Sequence, residues 1–177
     1  MLHLKYIRNF FTVICFLLSA SQMAAQVKGT PENIMSSFIY NFTAYLTWPV
    51  EETKAPFKII VLGSNEFFQP LNYIAGVKMV KGRKIEVKLI TKESEIEPCH
   101  ILVVSEDFQK SLLTLNDNEL LHETVIITNC LGCLTKGASI NFVSVNEKIH
   151  FEINKKALDI KSIKASSQLL KLAVKVI

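Results

Sequence analysis

Three short and almost wholly apolar runs limit this chain more than any other feature: FKIIVLG from Phe57, ILVVS from Ile101 and TVIITN from Thr124. A strand that is apolar on both sides has no wet face, so such runs belong inside a sheet covered by helices on both faces. The segment from Phe108 to Leu115 has helical character and separates two of them. The order strand, helical piece, strand favours an α/β layer. KIEVKLI, residues 84–90, is different: Ile85, Val87 and Leu89 alternate with polar residues, which suits a sheet edge or a strand with one wet face. SINFVSV and KIHFEIN flank Asn146-Glu147 and read as a hairpin, with Phe151 and Ile153 on one face and His150, Glu152 and Asn154 on the other.

Helical segments complete the layer. Thr30 can cap a helix and Pro31 suits its first turn. Ile34, Phe38, Phe42 and Tyr45 recur at near-helical spacing, widened by Met35, Ile39 and Leu46, so the helix is expected to run until Trp48-Pro49. NEFFQPLNYIAG is expected to be helical only in pieces, because Pro70 interrupts it. KKALDIK and SSQLLKLAVKVI are predicted helical to the end. In the second, Leu169, Leu170, Ala173 and Val174 form an apolar side over the sheet, and Lys171 and Lys175 lie a turn apart on the exposed side. The expected fold is α/β: a single compact domain with a central mixed, mostly parallel sheet, flanking helices, and a C-terminal β-hairpin plus helix.

The first 25 residues stand apart. Lys5 and Arg8 precede an uncharged apolar run from Phe10 to Ala20, followed by SQMAAQ. This is the layout of a secretory signal peptide, and the run is short for a transmembrane helix. The expected organisation is a signal peptide over 1–25 and one domain over 26–177, exported to the periplasm. Removing Lys5 and Arg8, with no acid, lowers the formal charge from +4 to +2. With lysines scattered and no basic stripe, this charge is no nucleic-acid footprint. Cys99, Cys130 and Cys133 remain after cleavage, in a compartment that permits disulfides.

Cys130-Leu131-Gly132-Cys133 has the spacing of a redox dithiol. However, Leu-Thr-Lys-Gly follows and leads directly into a strand, which leaves little room for the helix that would activate a thiolate. A structural or regulatory disulfide is the leading reading, beside unpaired thiols and catalytic exchange. Cys99 begins one proposed strand and Cys130 ends its parallel neighbour, so these two are too far apart to bond. His100, His122 and His150 lack metal-binding spacing; His150 with Glu152 could supply two ligands, too few for a closed zinc site. Ser166-Ser167 reads as a helix cap, and Gly63-Ser64-Asn65 matches no phosphate loop. No cofactor or catalytic residue is expected. Tyr40, Asn41 and Trp48, with Phe42 and Tyr45, form an aromatic stretch suited to binding or to ordinary packing. Arg83 could recognise a carboxylate through its planar fork. Tyr40, Asn41, Trp48, Arg83 and Glu152 are the partner-binding candidates.

In order along the chain, IMSSFIYNFTAYLTWP (34–49), VKGRKIEV (80–87), CHILVVS (99–105), TNCLGCLTKGASINFV and IHFEINKKALDIKSIKASSQLLKLA resemble the YfiR family of secreted or periplasmic proteins. The resemblance spans about residues 31–173. It implies a non-enzymatic regulatory domain. The characterised type represses an inner-membrane diguanylate cyclase through its periplasmic part, is sequestered by an outer-membrane lipoprotein, and so alters cyclic-di-GMP signalling; cysteine oxidation can influence the stability of such proteins. The implied partners are a membrane-bound signalling protein and an outer-membrane protein; a homodimer is a separate expectation that the resemblance does not itself imply. A periplasmic small-ligand carrier or sensor is the alternative. The chain departs from the family at Asn129-Cys130, where a Ser-Asp-like pair is usual, at Cys133, often aromatic, and at Ala138, commonly a second glycine. These departures loosen any transfer of redox behaviour.

Overall fold

The computed structural model describes residues 29–49, 54–63 and 65–177; the expected signal peptide over 1–25 lies outside the described residues. In chain order come α1 (Pro31–Phe42), β1 (Leu46–Thr47), β2 (Phe57–Leu62), α2 (Asn65–Val77), β3 (Met79–Val80), β4 (Arg83–Ile90) and β5 (Ile101–Val104). They are followed by α3 (Leu112–Asn116), β6 (Val125–Thr128), β7 (Ile140–Val145), β8 (Lys148–Ile153), α4 (Lys155–Ile160), β9 (Lys164–Ala165), α5 (Ser167–Leu172) and β10 (Lys175–Val176). An eight-stranded sheet runs β10-β8-β7-β6-β5-β2-β4-β3, and β1 and β9 make a separate antiparallel pair. Within the large sheet only β3/β4 and β7/β8 are antiparallel. The expected α/β domain with a mostly parallel sheet is therefore what the chain forms.

Alternating residues of the central strands feed two cores. Ile59, Val61, Ile101, Val103, Val125 and Ile127 pack on one face with α1 and α2. Ile60, Leu62, Leu102, Val104 and Ile126 pack on the other with α3 and Cys130 and Cys133. Strands with both faces buried need this continuous apolar composition, as the sequence implies. The β7–β8 hairpin turns at Asn146 and Glu147 with φ of 50° and 61°, the left-handed pair that a two-residue turn between twisted strands requires. Phe142 and Phe151 of this hairpin meet Phe38 and Phe42 of α1, with ring centroids 4.9–6.2 Å apart.

Three local expectations are corrected. The first helix stops at Phe42 rather than at Trp48. The amides of Thr43, Ala44 and Tyr45 bond back to Tyr40, Asn41 and Phe42, and the Thr43 hydroxyl donates to Tyr40 O at 2.6 Å. This tight turn frees Leu46-Thr47 to pair with Ala165 and Lys164. Second, α2 continues through Pro70. The proline removes one helical hydrogen bond, and burial of Phe67 and Leu71 on the sheet offsets that cost. Third, the terminal helix ends at Leu172, and Lys175-Val176 joins the sheet beside Glu152-Ile153. Lys171 and Lys175 therefore do not share a helical face, and Val174 is exposed.

Candidate binding site at the amino edge of the sheet

Parallel strands in register begin at a common edge. Phe57 opens β2, Arg83 opens the neighbouring β4, and His100 immediately precedes β5 on the other side of β2. Register pairs of Phe57 with Ile85 and Ile59 with Ile101 bring these three positions together. Sequence spacing could not reveal that cluster, because the residues come from three separate strands.

Arg83 is only 8% exposed. Its Nε donates to Ala55 O at 2.6 Å and its Nη2 to Pro56 O at 2.8 Å. The guanidinium carbon stands 5.7 Å from the centre of the Phe57 ring. No carboxylate among the described residues pairs with it. His100 stacks on Phe57 at 4.3 Å between centroids, and its Nε2 is 3.1 Å from Arg83 Nη2. On the ring's other nitrogen, Nδ1 accepts the backbone N–H of Lys58 at 3.0 Å. Burial, reinforced by the Arg83 charge, pushes the His100 pKa down to about 4. The imidazole is accordingly neutral at pH 7. Trp48 closes the cluster: it is 7% exposed, donates Nε1–H to His100 O at 3.3 Å, and meets Phe57 edge-on at 5.1 Å.

A void of about 30 Å³ lies among Thr43, Trp48, Phe57, Val80, Arg83 and His100, with Lys81 also on its wall. A wider groove of about 480 Å³ adjoins it, with Lys58, Cys99, His122, Glu123 and Thr124 along its sides. Behind the groove, burial pushes the Cys99 thiol up to about 12, partly relieved by the Thr124 hydroxyl 4.0 Å away. A thiol held this high stays protonated and is a poor nucleophile. Lys161, 5% exposed, donates to Leu121 O at 2.8 Å, and burial lowers its pKa.

The remaining candidates are dispersed. Tyr40 is half-buried and its hydroxyl donates to Met79 O at 3.2 Å, while Asn41 is exposed. Glu152 is half-buried on β8, with four strands between it and β4, a separation of roughly 24 Å at the usual strand spacing. Tyr40, Trp48 and Arg83 thus gather around the β3–β4 corner, and Glu152 does not. Sequence reasoning missed His100, Thr124 and Lys161 as members of a polar cluster. The available signal was their location at or beside the starts of buried strands and at the end of α4.

At the opposite edge, Cys130 and Cys133 form a disulfide, with Cα atoms 5.6 Å apart and both residues buried. Cys133–Lys136 is a short 3-10 turn rather than an α-helix, bounded by Gly132 and Gly137 at positive φ. It offers no extended helix N-terminus to activate a thiolate. Cys99 is a free cysteine at the other end of the parallel β5/β6 pair. Among the described residues no group of three or more His, Cys, Asp or Glu could hold a metal ion, and no helix is long and apolar enough to cross a membrane.

Solved structures share the fold at low identity. One is a crystal structure of a conserved domain protein from Vibrio cholerae O1 biovar El Tor, with TM-score 0.58 and 11% identity over 83% of this chain and 60% of that one. Another is an ABC domain in complex with L-Trp from Streptococcus pneumoniae, with TM-score 0.55 and 14% identity over the same shares. The chain therefore spans about 60% of the length of each. No curated protein matches it in sequence. The family model DUF4154, YfiR/HmsC-like, matches residues 32–174, and the chain belongs to that family.

Proposed function

We propose, from membership of the YfiR/HmsC-like family, that this protein is a non-enzymatic regulator of an inner-membrane signalling protein such as a diguanylate cyclase. It acts in the periplasm after loss of residues 1–25, and an outer-membrane protein competes for it. The observation that carries this reading is the family match across residues 32–174. An exposed apolar patch supports it. Tyr73 and Val77 lie one turn apart on α2, 74% and 61% exposed, and Met79 follows on β3, where Tyr40 bonds to its carbonyl. Exposed apolar residues gathered at one corner suit a protein contact. Tyr40 and Asn41 extend the contact along α1, and Glu152 serves a separate contact on β8. Trp48 and Arg83, buried beneath the corner, support the patch from within. Repression follows if the domain binds the inactive receptor state more tightly than the active one.

The test is affinity capture from intact envelopes with the wild type and Tyr73→Asp. A membrane signalling protein is expected with the wild type and at least about tenfold less with the variant, since a charge there is desolvated on docking. The variant's melting temperature should be unchanged because Tyr73 is exposed. Failure to recover any membrane signalling protein across growth conditions would overturn the reading.

A further inference from the structure

Donors face both ring nitrogens of His100, the Lys58 amide at Nδ1 and Arg83 Nη2 at Nε2, and a neutral ring can accept from only one of them. The Lys58 N–H donates to Nδ1, so Nδ1 carries no proton. The neutral ring then holds its proton on Nε2. That N–H faces Arg83 Nη2 at 3.1 Å, and Nη2 is itself a donor. Turning the ring over would take Nδ1 away from the Lys58 amide that donates to it. Two donors therefore meet beside a void, and the guanidinium charge has no carboxylate partner among the described residues. Among the described residues, every ionisable side chain lining the void is basic: Lys81, Arg83 and His100. The Thr43 hydroxyl already donates to Tyr40 O.

We propose that this void is a binding site for a small carboxylate, whose oxygens accept from Arg83 and from His100 Nε2–H. A cation is excluded by charge, and a lone water oxygen would leave the guanidinium charge uncompensated. An oxygen-sized group needs about 10–15 Å³ of such space, so about 30 Å³ takes the two oxygens of a planar carboxylate head and would leave two oxygens of phosphate or sulfate outside, away from Arg83 and His100. The ligand's remaining atoms extend into the groove beside Lys58 and His122. Occupancy would brace Arg83, which opens β4 directly after the β3 residues Met79-Val80, and so couple a small-molecule signal to the exposed corner.

Trp48 is the chain's single tryptophan and lines the void, so its fluorescence reports occupancy. The experiment titrates the chain lacking residues 1–25 with sodium acetate at pH 7 and constant ionic strength, with chloride and phosphate as comparison anions. A saturable change with acetate, absent with chloride and phosphate, is expected. His100→Asn keeps an acceptor for the Lys58 amide and removes Nε2–H, and should weaken acetate binding at least about tenfold. Arg83→Lys, which keeps the charge and loses the fork, should do likewise. No saturable acetate response, an equal response to chloride or phosphate, or an unchanged affinity in folded His100→Asn would each overturn the proposal. If neither variant folds, the wild-type anion series still decides it. Binding is read on isolated protein and partner capture on envelopes, so either can fail without the other.

Discussion

The two edges of the parallel sheet are built on opposite principles. At the carboxyl edge the chain closes on itself with apolar contact and a covalent bond. Gly63 follows β2 at φ 108°, and an added Cβ there would come within 2.9 Å of the Phe108 ring. Cys130 and Cys133 are bonded, and Asn141 Oδ1 accepts from both Thr128 Oγ1 and the Cys130 amide. The strand order reverses between β2 and β5 at this edge, the place where open α/β sheets often take ligands. Here Phe108 packs into that position. At the amino edge, Arg83, His100, Cys99 and Lys161 are buried or partly buried beside open space. Arg83 holds the chain before β2 through Ala55 O and Pro56 O, yet among the described residues no carboxylate balances its charge, and a buried charge left unbalanced costs free energy. The difference separates an edge closed by packing and a disulfide from an edge that keeps a polar cluster beside open space.

The largest effect should come from breaking the closed edge. Gly63→Val forces a β-branched side chain to positive φ and into Phe108, and should lower stability by about 3 kcal/mol, read as the denaturation midpoint. Acetate binding by the fraction still folded should be unchanged, because the opposite edge is intact. Replacing both Cys130 and Cys133 by Ala removes a cross-link that closes a very short loop, and should cost about 2 kcal/mol. A loss much larger than this would mean that the disulfide turn organises more of the molecule than its own edge.

The amino edge should reveal itself through pH. His100 has an ordinary pKa of 6.5 and is held at about 4 in the folded protein. The unfolded chain therefore binds the proton more readily, and stability falls as pH drops from 6.5 towards 4. The full linkage value is reduced because the ring is partly solvated, leaving about 1–2 kcal/mol. His100→Asn should flatten this part of the stability profile. A profile identical to wild type would remove His100 from the strained, polar edge.

The closed edge was largely legible in the sequence and the polar one was not. Uninterrupted apolar runs at Phe57, Ile101 and Thr124 announce strands buried on both faces, and the cysteine spacing admits a local bridge that the fold makes. These are local signals. The continuous α2 was missed because tertiary burial of Phe67 and Leu71 outweighs the local effect of Pro70. The terminal strand was missed because Val174 and Lys175 extend a plausible helical pattern, whereas pairing with β8 is non-local. Arg83 and His100 are 17 residues apart and meet only through the registers of β4, β2 and β5. Each was visible as a residue; their shared donor geometry was not.

The tautomer of His100 tests the central claim most directly, because the two-donor arrangement at the amino edge depends on it. Long-range proton–nitrogen correlation spectra of the isotopically labelled protein at pH 7 should show a neutral ring protonated at Nε2, with Nδ1 unprotonated. A ring protonated at Nδ1, or a charged imidazolium, would contradict the account, because the meeting of donors that calls for an anion would then be absent or differently arranged.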